Sequence, residues 1–292
     1  MDKHLTPKFI FLLPSLILIG ILSYLPLLYA IFLSFHIGRG KSLVFNYFEN
    51  YMGLLSDEAF IIAFSNSLIF TLIIVPCIIV LSLVVSLSIH KVKSKQLQNL
   101  FTAILFIPCI TSPVAYSLFV KQLAYSDGTL SNSLRGLNLV SSSYNILQEV
   151  WGARLLIAFV CIWAWSGFYI LILSVAMNNI NPDIYRAAKL DGATDFIIAR
   201  KIVFPTIRPI LALITILATS NTFQIYIESA IITKGGPGMA TLTLVNQLYK
   251  KSFTYVAQYG YSSAIAIVIF TVCVLVSGML FIAWSENEAE NR

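Results

Sequence analysis

Side chains that could do chemistry are scarce in this chain, and most of them gather in one passage. From Asn181 to Pro209 it reads NPDIYRAAKLDGATDFIIARKIVFPTIRP, polar and charged between two apolar runs. A second group, Asn221, Gln224 and Glu228, recurs at i, i+3 and i+7 and would share one face of a helix. Amides and a carboxylate on one face could hold a polyhydroxylated ligand, with Trp165, Phe168, Phe223 or Tyr226 as an aromatic plate beneath it. The same residues have a structural reading that stays open: amides can bond a neighbouring helix, and aromatics can pack or anchor interfaces.

Other chemistries lack their residues. Cys77, Cys109, Cys161 and Cys273 fall inside apolar runs without CxxC spacing, so they read as small fillers rather than as a disulfide framework or metal ligands. His4, His36 and His90 are isolated, and no metal site is expected. Gly40-Lys41-Ser42 imitates the end of a phosphate-binding loop. Phe35 stands where its first glycine belongs, and neither a buried strand nor a soluble helix flanks it. No nucleophile or acid–base set clusters anywhere, so no catalytic residue is assigned and no cofactor is expected on this chain.

The elements that position these residues follow from composition. Of 292 residues 58% are hydrophobic and 11% charged, and the mean hydropathy is +0.84. A soluble domain carries about 25% charged residues, so lipid is the solvent. The net charge of +6 comes from scattered bases rather than a basic face, which argues against nucleic acid. A span needs about 20 apolar residues, and six stretches qualify, at about 9–33, 60–89, 100–120, 155–177, 210–227 and 262–284. The expected fold is all-α and polytopic, one transmembrane domain over residues 1–292. The first apolar stretch has no small-residue cleavage site and reads as a retained span.

Pro14, Pro26, Pro76, Pro108 and Pro113 lie in the first three spans, where each is expected to kink its helix as ordinary packing variation. With the N-terminus inside, the inner segments are about twofold denser in Lys and Arg than the outer ones. Both termini are then cytoplasmic. Leu130, Leu134 and Leu137 predict a short amphipathic helix within 126–140 on the outer interface. Thr233 to Gly238, TKGGPG, is a turn-rich outer loop, either a connector or a site. No span carries a charge at its middle, so the mid-membrane relay of an ion-coupled carrier is missing. If the chain moves a solute uphill, the energy enters from a partner.

The inner passage 181–209 has the marks of a helical hairpin. Asn181 is an N-cap, Pro182 fits the first helical position and Asp183 complements the dipole. A short helix through Tyr185, Arg186, Ala187, Ala188 and Lys189 should end at Gly192, and a second should run from about Thr194 to Val203. Such a hairpin either docks a partner or lies alone at the interface.

These motifs resemble the permease subunits of ATP-binding-cassette importers, in the carbohydrate-uptake class of the maltose, glycerol-phosphate and multiple-sugar permeases. The family signature, approximately EAAxxDGAxxxxxFxxIxxP, is met by Ala187-Ala188, Asp191-Gly192-Ala193, Ile202 and Pro205. The loop TKGGPG with Ala240-Thr241, the later Tyr259-Gly260-Tyr261 and the lead-in from Trp163 to Asn181 are also similar to this class. Two positions depart from the pattern: Arg186 stands for the glutamate and Ala199 for the aromatic.

The resemblance implies the type I importer permease fold, with six spans and a coupling loop at 181–209. It implies as partners a second homologous permease, two ATPase subunits that use ATP and Mg, an extracytoplasmic solute-binding protein, and the lipid of a bacterial-type cell membrane. Tyr185, Arg186, Ala187, Ala188, Asp191, Gly192 and Ala193 would meet the ATPase, with Ala187 and Ala188 narrow enough to enter its cleft. Lys234, Gly235, Gly236 and Pro237 would face the binding protein. A sugar, expected to be an oligosaccharide, would pass Trp165, Phe168, Asn221, Thr222, Gln224, Ile225, Tyr226 and Glu228, near Ala164. The alternatives are import of glycerol phosphate or another small polar metabolite, which should need basic groups in the cavity; a polytopic membrane enzyme; and a passive channel, which needs no docking hairpin.

Overall fold

A computed structural model describes residues 5–38, 40–137, 144–254 and 256–289. Helices dominate: α1 (Leu5–Ile19) and α2 (Leu25–Ser34) joined by a π-helical turn, a two-stranded ribbon β1 (His36–Ile37) and β2 (Val44–Phe45), then α3 (Glu49–Ser56). After them come α4 (Glu58–His90), α5 (Lys95–Ile110), α6 (Pro113–Ala124), α7 (Thr129–Gly136) and α8 (Val150–Asn178). The chain then forms α9 (Pro182–Leu190), α10 (Asp195–Ile198), α11 (Phe204–Phe223), α12 (Leu244–Tyr249) and α13 (Tyr259–Ala289).

Five helices are long and apolar enough to cross a membrane, and six crossings result if one bent pair counts as a single span. That pair corrects the expectation of mild kinks. The third span breaks at Thr111–Ser112, where α5 and the helix opening at Pro113 meet at 86°. Pro108 cannot donate to the ladder of α5, and Pro113 holds Ser112 extended, at ψ 126. Pro76 fits the milder expectation, since α4 runs through it. The predicted surface helix appears as α7; the end of its expected range, 138–140, lies outside the described residues.

The fifth span also differs from its expected bounds. It starts earlier, because α10, a π-helical turn over Ala199–Val203 and α11 form one continuous helix from Asp195 to Phe223. The separate second hairpin helix is therefore the first turns of this span. It ends earlier too: Gln224, Ile225 and Tyr226 leave the helix before a π-helical turn at Ser229–Thr233. Asn221, Gln224 and Glu228 consequently do not share a helix face.

The chain packs as two compact units. The first takes in the described residues up to Ile61 together with Gln247–Thr271. Asn50 ties its ribbon, donating to the carbonyls of Ser34 (2.8 Å) and His36 (3.1 Å). Asp57, just before α4, accepts from the Ala59 N–H and the Tyr261 hydroxyl (3.0 and 2.7 Å) and pairs with Lys251 at 3.3 Å. Burial pushes the Asp57 carboxyl up, but the Tyr261 hydrogen bond and the Lys251 charge outweigh it and hold the group below its ordinary value.

The second unit is built on α8, whose centre is buried on nearly every side. One apolar cluster joins Phe70 and Ile74 of α4 to Ile157 and Cys161 of α8; another joins Ile78 to Tyr169, Leu173 and Met177 and to Ile207 and Leu211 of α11. Ser86 of α4 donates to the Ile170 carbonyl at 3.1 Å. α5 lies against α8 so closely that a side chain at Gly167 would strike the Leu105 carbonyl oxygen.

Gly167→Ala should therefore destabilise the protein by about 1–3 kcal/mol, read as a lower Tm of the detergent-solubilised chain; an unchanged Tm would mean that α5 and α8 separate freely. For Asp57, a depressed carboxyl stabilises fully above about pH 4 and loses that stabilisation as pH falls through its lowered value. The Tm advantage of the native chain over Asp57→Asn should accordingly hold at neutral pH and shrink in acid.

Candidate functional site

The hairpin is held by its own backbone. Asn181 Oδ1 accepts the Asp183 N–H at 2.9 Å, capping α9, and Pro182 follows at the first position. At the other end the Asp191, Gly192 and Ala193 N–H groups return to the carbonyls of Ala187, Lys189 and Ala188. Gly192 adopts φ +78, the left-handed region that closes a helix. A Cβ there would meet nothing within 4 Å, so backbone conformation alone requires glycine. Thr194 Oγ1 then accepts the Ile197 N–H at 3.4 Å to start α10.

The two alanines expected to enter a cleft together point apart, as neighbours in a helix must. Ala188, with Tyr185 and Ala193, packs against the core of α8 and α11. The outward face is Ile184, Ala187 and Leu190, spaced three apart, with Ile184 46% and Leu190 89% exposed. Leu190 escaped the sequence reading although an apolar residue three positions from Ala187 was the available signal. Arg186, exposed, pairs with Asp183 of its own helix at 3.0 Å.

Deeper in the same unit lies a cavity of about 320 Å³ lined by Cys109, Trp165, Phe168, Tyr169, Asn221 and Gln224. The break in the fifth span leaves Gln224 at the helix end, where its Nε2 donates to the Ser220 carbonyl at 3.2 Å. Asn221 Nδ2 donates to the Tyr169 hydroxyl at 3.2 Å, so this amide bonds a neighbouring helix and lines the cavity at once. Every group in the lining is uncharged or aromatic. Tyr169 and Cys109 were missed; only the path of α5 and α8 reveals them.

Thr222, Ile225, Tyr226 and Glu228 stand outside that lining. Thr222 returns its hydroxyl to the Ala218 carbonyl at 2.8 Å, and Ile225 belongs to the core around α8. Ala164 and Phe223 are buried as well. Glu228 is 4% exposed and accepts the Tyr116 hydroxyl of α6, so it ties the break of the third span to the break of the fifth.

The TKGGPG loop is anchored rather than loose. Lys234, exposed, takes φ +55 to end the π-helical turn, and Gly236–Pro237 is a cis peptide. Thr241 Oγ1 donates to the Gly236 carbonyl at 2.7 Å, and the Thr241 N–H to the Gly235 carbonyl at 3.2 Å. Asn66 of α4 donates to the Met239 and Leu242 carbonyls (2.8 and 3.0 Å) and accepts from Arg154, which also donates to the Ala240 carbonyl at 2.9 Å. Neither Asn66 nor Arg154 was singled out from sequence; an amide inside the second apolar stretch and a cation at the edge of the fourth were the signal. Among the described residues no group of His, Cys, Asp or Glu could hold a metal ion.

A polytopic helical unit with a capped hairpin at one end and an uncharged polar cavity within it defines a membrane transport component. The model of the family described as "binding-protein-dependent transport system inner membrane component" matches residues 59–289. The chain belongs to that family, and it is a multi-pass permease subunit rather than an enzyme. It is 30% identical over 281 residues to the lactose transport system permease protein LacF of Rhizobium radiobacter, covering 96% of this chain and 94% of that one. It is 28% identical to the multiple sugar-binding transport system permease protein MsmF of Streptococcus mutans, over 91% of each chain. A solved bacterial ABC transporter involved in import of the acidic polysaccharide alginate shares the fold, with a TM-score of 0.82, 22% identity, and coverage of 97% of this chain and 96% of that one. The six-crossing permease fold expected from the sequence is thus the fold of this chain.

Asn66→Ala removes two hydrogen bonds to the loop and one acceptor of Arg154, and should cost about 2–3 kcal/mol locally. Hydrogen exchange of the Thr241 and Leu242 amides should accelerate while the centre of α8 stays protected; unchanged exchange would show that the loop is held by other contacts.

Proposed function

We propose that this chain is one of two permeases in an ATP-driven importer that receives a sugar from an extracytoplasmic binding protein and releases it into the cytoplasm. The observation that carries the sugar assignment is the cavity between Trp165, Phe168 and Tyr169 on one side and Asn221 and Gln224 on the other. Amides match hydroxyl groups and aromatic faces match the apolar side of a sugar ring. A volume of about 320 Å³ suits a sugar unit or two, with the rest of an oligosaccharide against the second permease. Transport of lactose and of multiple sugars, named for the relatives above, is in keeping with this. Glycerol phosphate fits less well, because no Lys or Arg lines the cavity to meet its phosphate.

In this reading the hairpin faces the cytoplasm, as do both termini. The Ile184–Ala187–Leu190 face of α9 docks into one of two ATPase subunits, which bind ATP and Mg. The anchored TKGGPG loop faces the binding protein outside. ATP-driven closure of the ATPases tilts α9 and the helix from Asp195 to Phe223 together, because the hairpin bend leads directly into that span. Alternating access follows from the different contacts that α9 makes in the two states.

Asn221→Ala and Gln224→Ala should each lower sugar uptake about threefold to tenfold at limiting sugar, the loss of one hydrogen bond to an uncharged ligand. Co-purification with the ATPase should be unchanged. Normal uptake by both variants would place the sugar elsewhere.

A further inference from the structure

Behind the hairpin, where α4 and α8 end, lies a cavity of about 320 Å³ that shares no lining residue with the one bearing Asn221 and Gln224. Lys91, Lys95 and Lys189 line it with His90 and a single carboxylate, Asp195. Lys91 pairs with Asp195 at 3.3 Å, and Lys95 donates to the Asn178 amide oxygen at 2.7 Å. Three lysines against one aspartate leave the cavity positive. Tyr185 lines the same space, its ring 5.3 Å from that of His90, and its hydroxyl is buried without a hydrogen-bond partner among the described residues. A buried hydroxyl in that state is unfavourable, and beside cations it is suited to donate to an anion.

A second cavity, of about 470 Å³, shares Leu87, Ala199 and Val203 with the first. Its other walls are Leu83, Phe196 and Phe204, with Arg200 the one charged residue in its lining. Phe196 is 72% exposed, so the trough is open on its outer side. A cationic chamber beside an apolar trough, with three wall residues in common where α4 and α8 end, has the polarity of a phospholipid: phosphate at one end, acyl chain at the other. Ala199, where the signature has an aromatic, is one of the three residues that line both spaces.

We propose that these adjoining cavities bind one anionic phospholipid, its phosphate held by Lys91, Lys95, Lys189 and Tyr185 and its acyl chain lying along Leu83, Phe196 and Phe204. Free phosphate would satisfy the lysines but leave the trough empty, and for that reason the occupant is a lipid. The site does not depend on the sugar assignment. It makes the seating of α9 sensitive to the charge of the surrounding bilayer, because Tyr185 and Lys189 belong to that helix.

The full chain in mild detergent is titrated with phosphatidylglycerol and with phosphatidylcholine of equal acyl length, and bound lipid is counted by native mass spectrometry. One phosphatidylglycerol should be retained in preference to phosphatidylcholine. The triple variant Lys91→Gln, Lys95→Gln, Lys189→Gln should lose that lipid by about tenfold or more. Ala199→Phe should lose it as well, since a phenyl ring on the shared wall crowds both spaces without changing charge. Lys121→Gln, Lys234→Gln, Lys250→Gln, equal in charge change but outside both linings, should keep it. Equal loss in the two triple variants, retention by Ala199→Phe, equal binding of phosphatidylcholine, or displacement by millimolar inorganic phosphate would each overturn the proposal.

Discussion

Hydrocarbon offers the backbone no hydrogen bonds, so a membrane-spanning chain may interrupt a helix only where protein satisfies the freed groups. Among the described residues this chain does so at Thr111–Ser112 and at Gln224–Tyr226, and much of the second unit is arranged around those interruptions. At the second break the Ile225 carbonyl accepts the Thr243 hydroxyl at 2.6 Å, and the Gln224 and Ile225 N–H groups turn back to Asn221 and Thr222. Thr243 belongs to the chain that returns from the TKGGPG loop, whose own carbonyls are held by Asn66 and Arg154. The Tyr116–Glu228 hydrogen bond then links the two breaks directly. The uncharged cavity is a consequence: it opens where α5 ends, at Cys109, and where α11 ends, at Gln224.

The same economy of breaks governs the hairpin. Residues 191–194 alone separate α9 from the long helix that reaches Phe223, with the left-handed turn at Gly192, and Asn181 and Thr194 cap the two helices. Tyr185, Ala188 and Ala193 fasten α9 to the core, while Ile184, Ala187 and Leu190 remain outside. A helix fastened on one face and apolar on the other is suited to the coupling role proposed for it. Arg186 is engaged with Asp183 at the surface, so the outward apolar stripe, and not this side chain, offers the contact area on α9.

The apolar runs were legible because lipid imposes length and composition directly, and the caps of α9 because they are local chemistry. Pro108 and Pro113 were visible too, yet a single proline specifies a kink and says little about its angle; two of them bracketing Thr111 and Ser112 gave 86°. The end of α11 was not legible. Between Ser220 and Glu228 no glycine or proline marks it, and the Ile225 carbonyl freed past the helix end is taken by a distant hydroxyl, Thr243. Extending the helix through Glu228 therefore aligned Asn221, Gln224 and Glu228 on a face that does not exist. Trp165, Phe168, Asn221 and Gln224 come together even so, and Thr222, Ile225 and Glu228 turn into the packed interior.

Coupling through the hairpin elbow can be separated from mere stability because space at Gly192 is open and only its positive φ is demanding. A β-branched residue there opposes the left-handed backbone by about 1–2 kcal/mol or more, whereas asparagine tolerates it. The decisive experiment reconstitutes the importer in proteoliposomes and counts sugar imported per ATP hydrolysed for Gly192→Val and Gly192→Asn. Import per ATP should fall about fivefold or more in Gly192→Val and stay near the native value in Gly192→Asn. Native stoichiometry in Gly192→Val would contradict a coupling role for this bend.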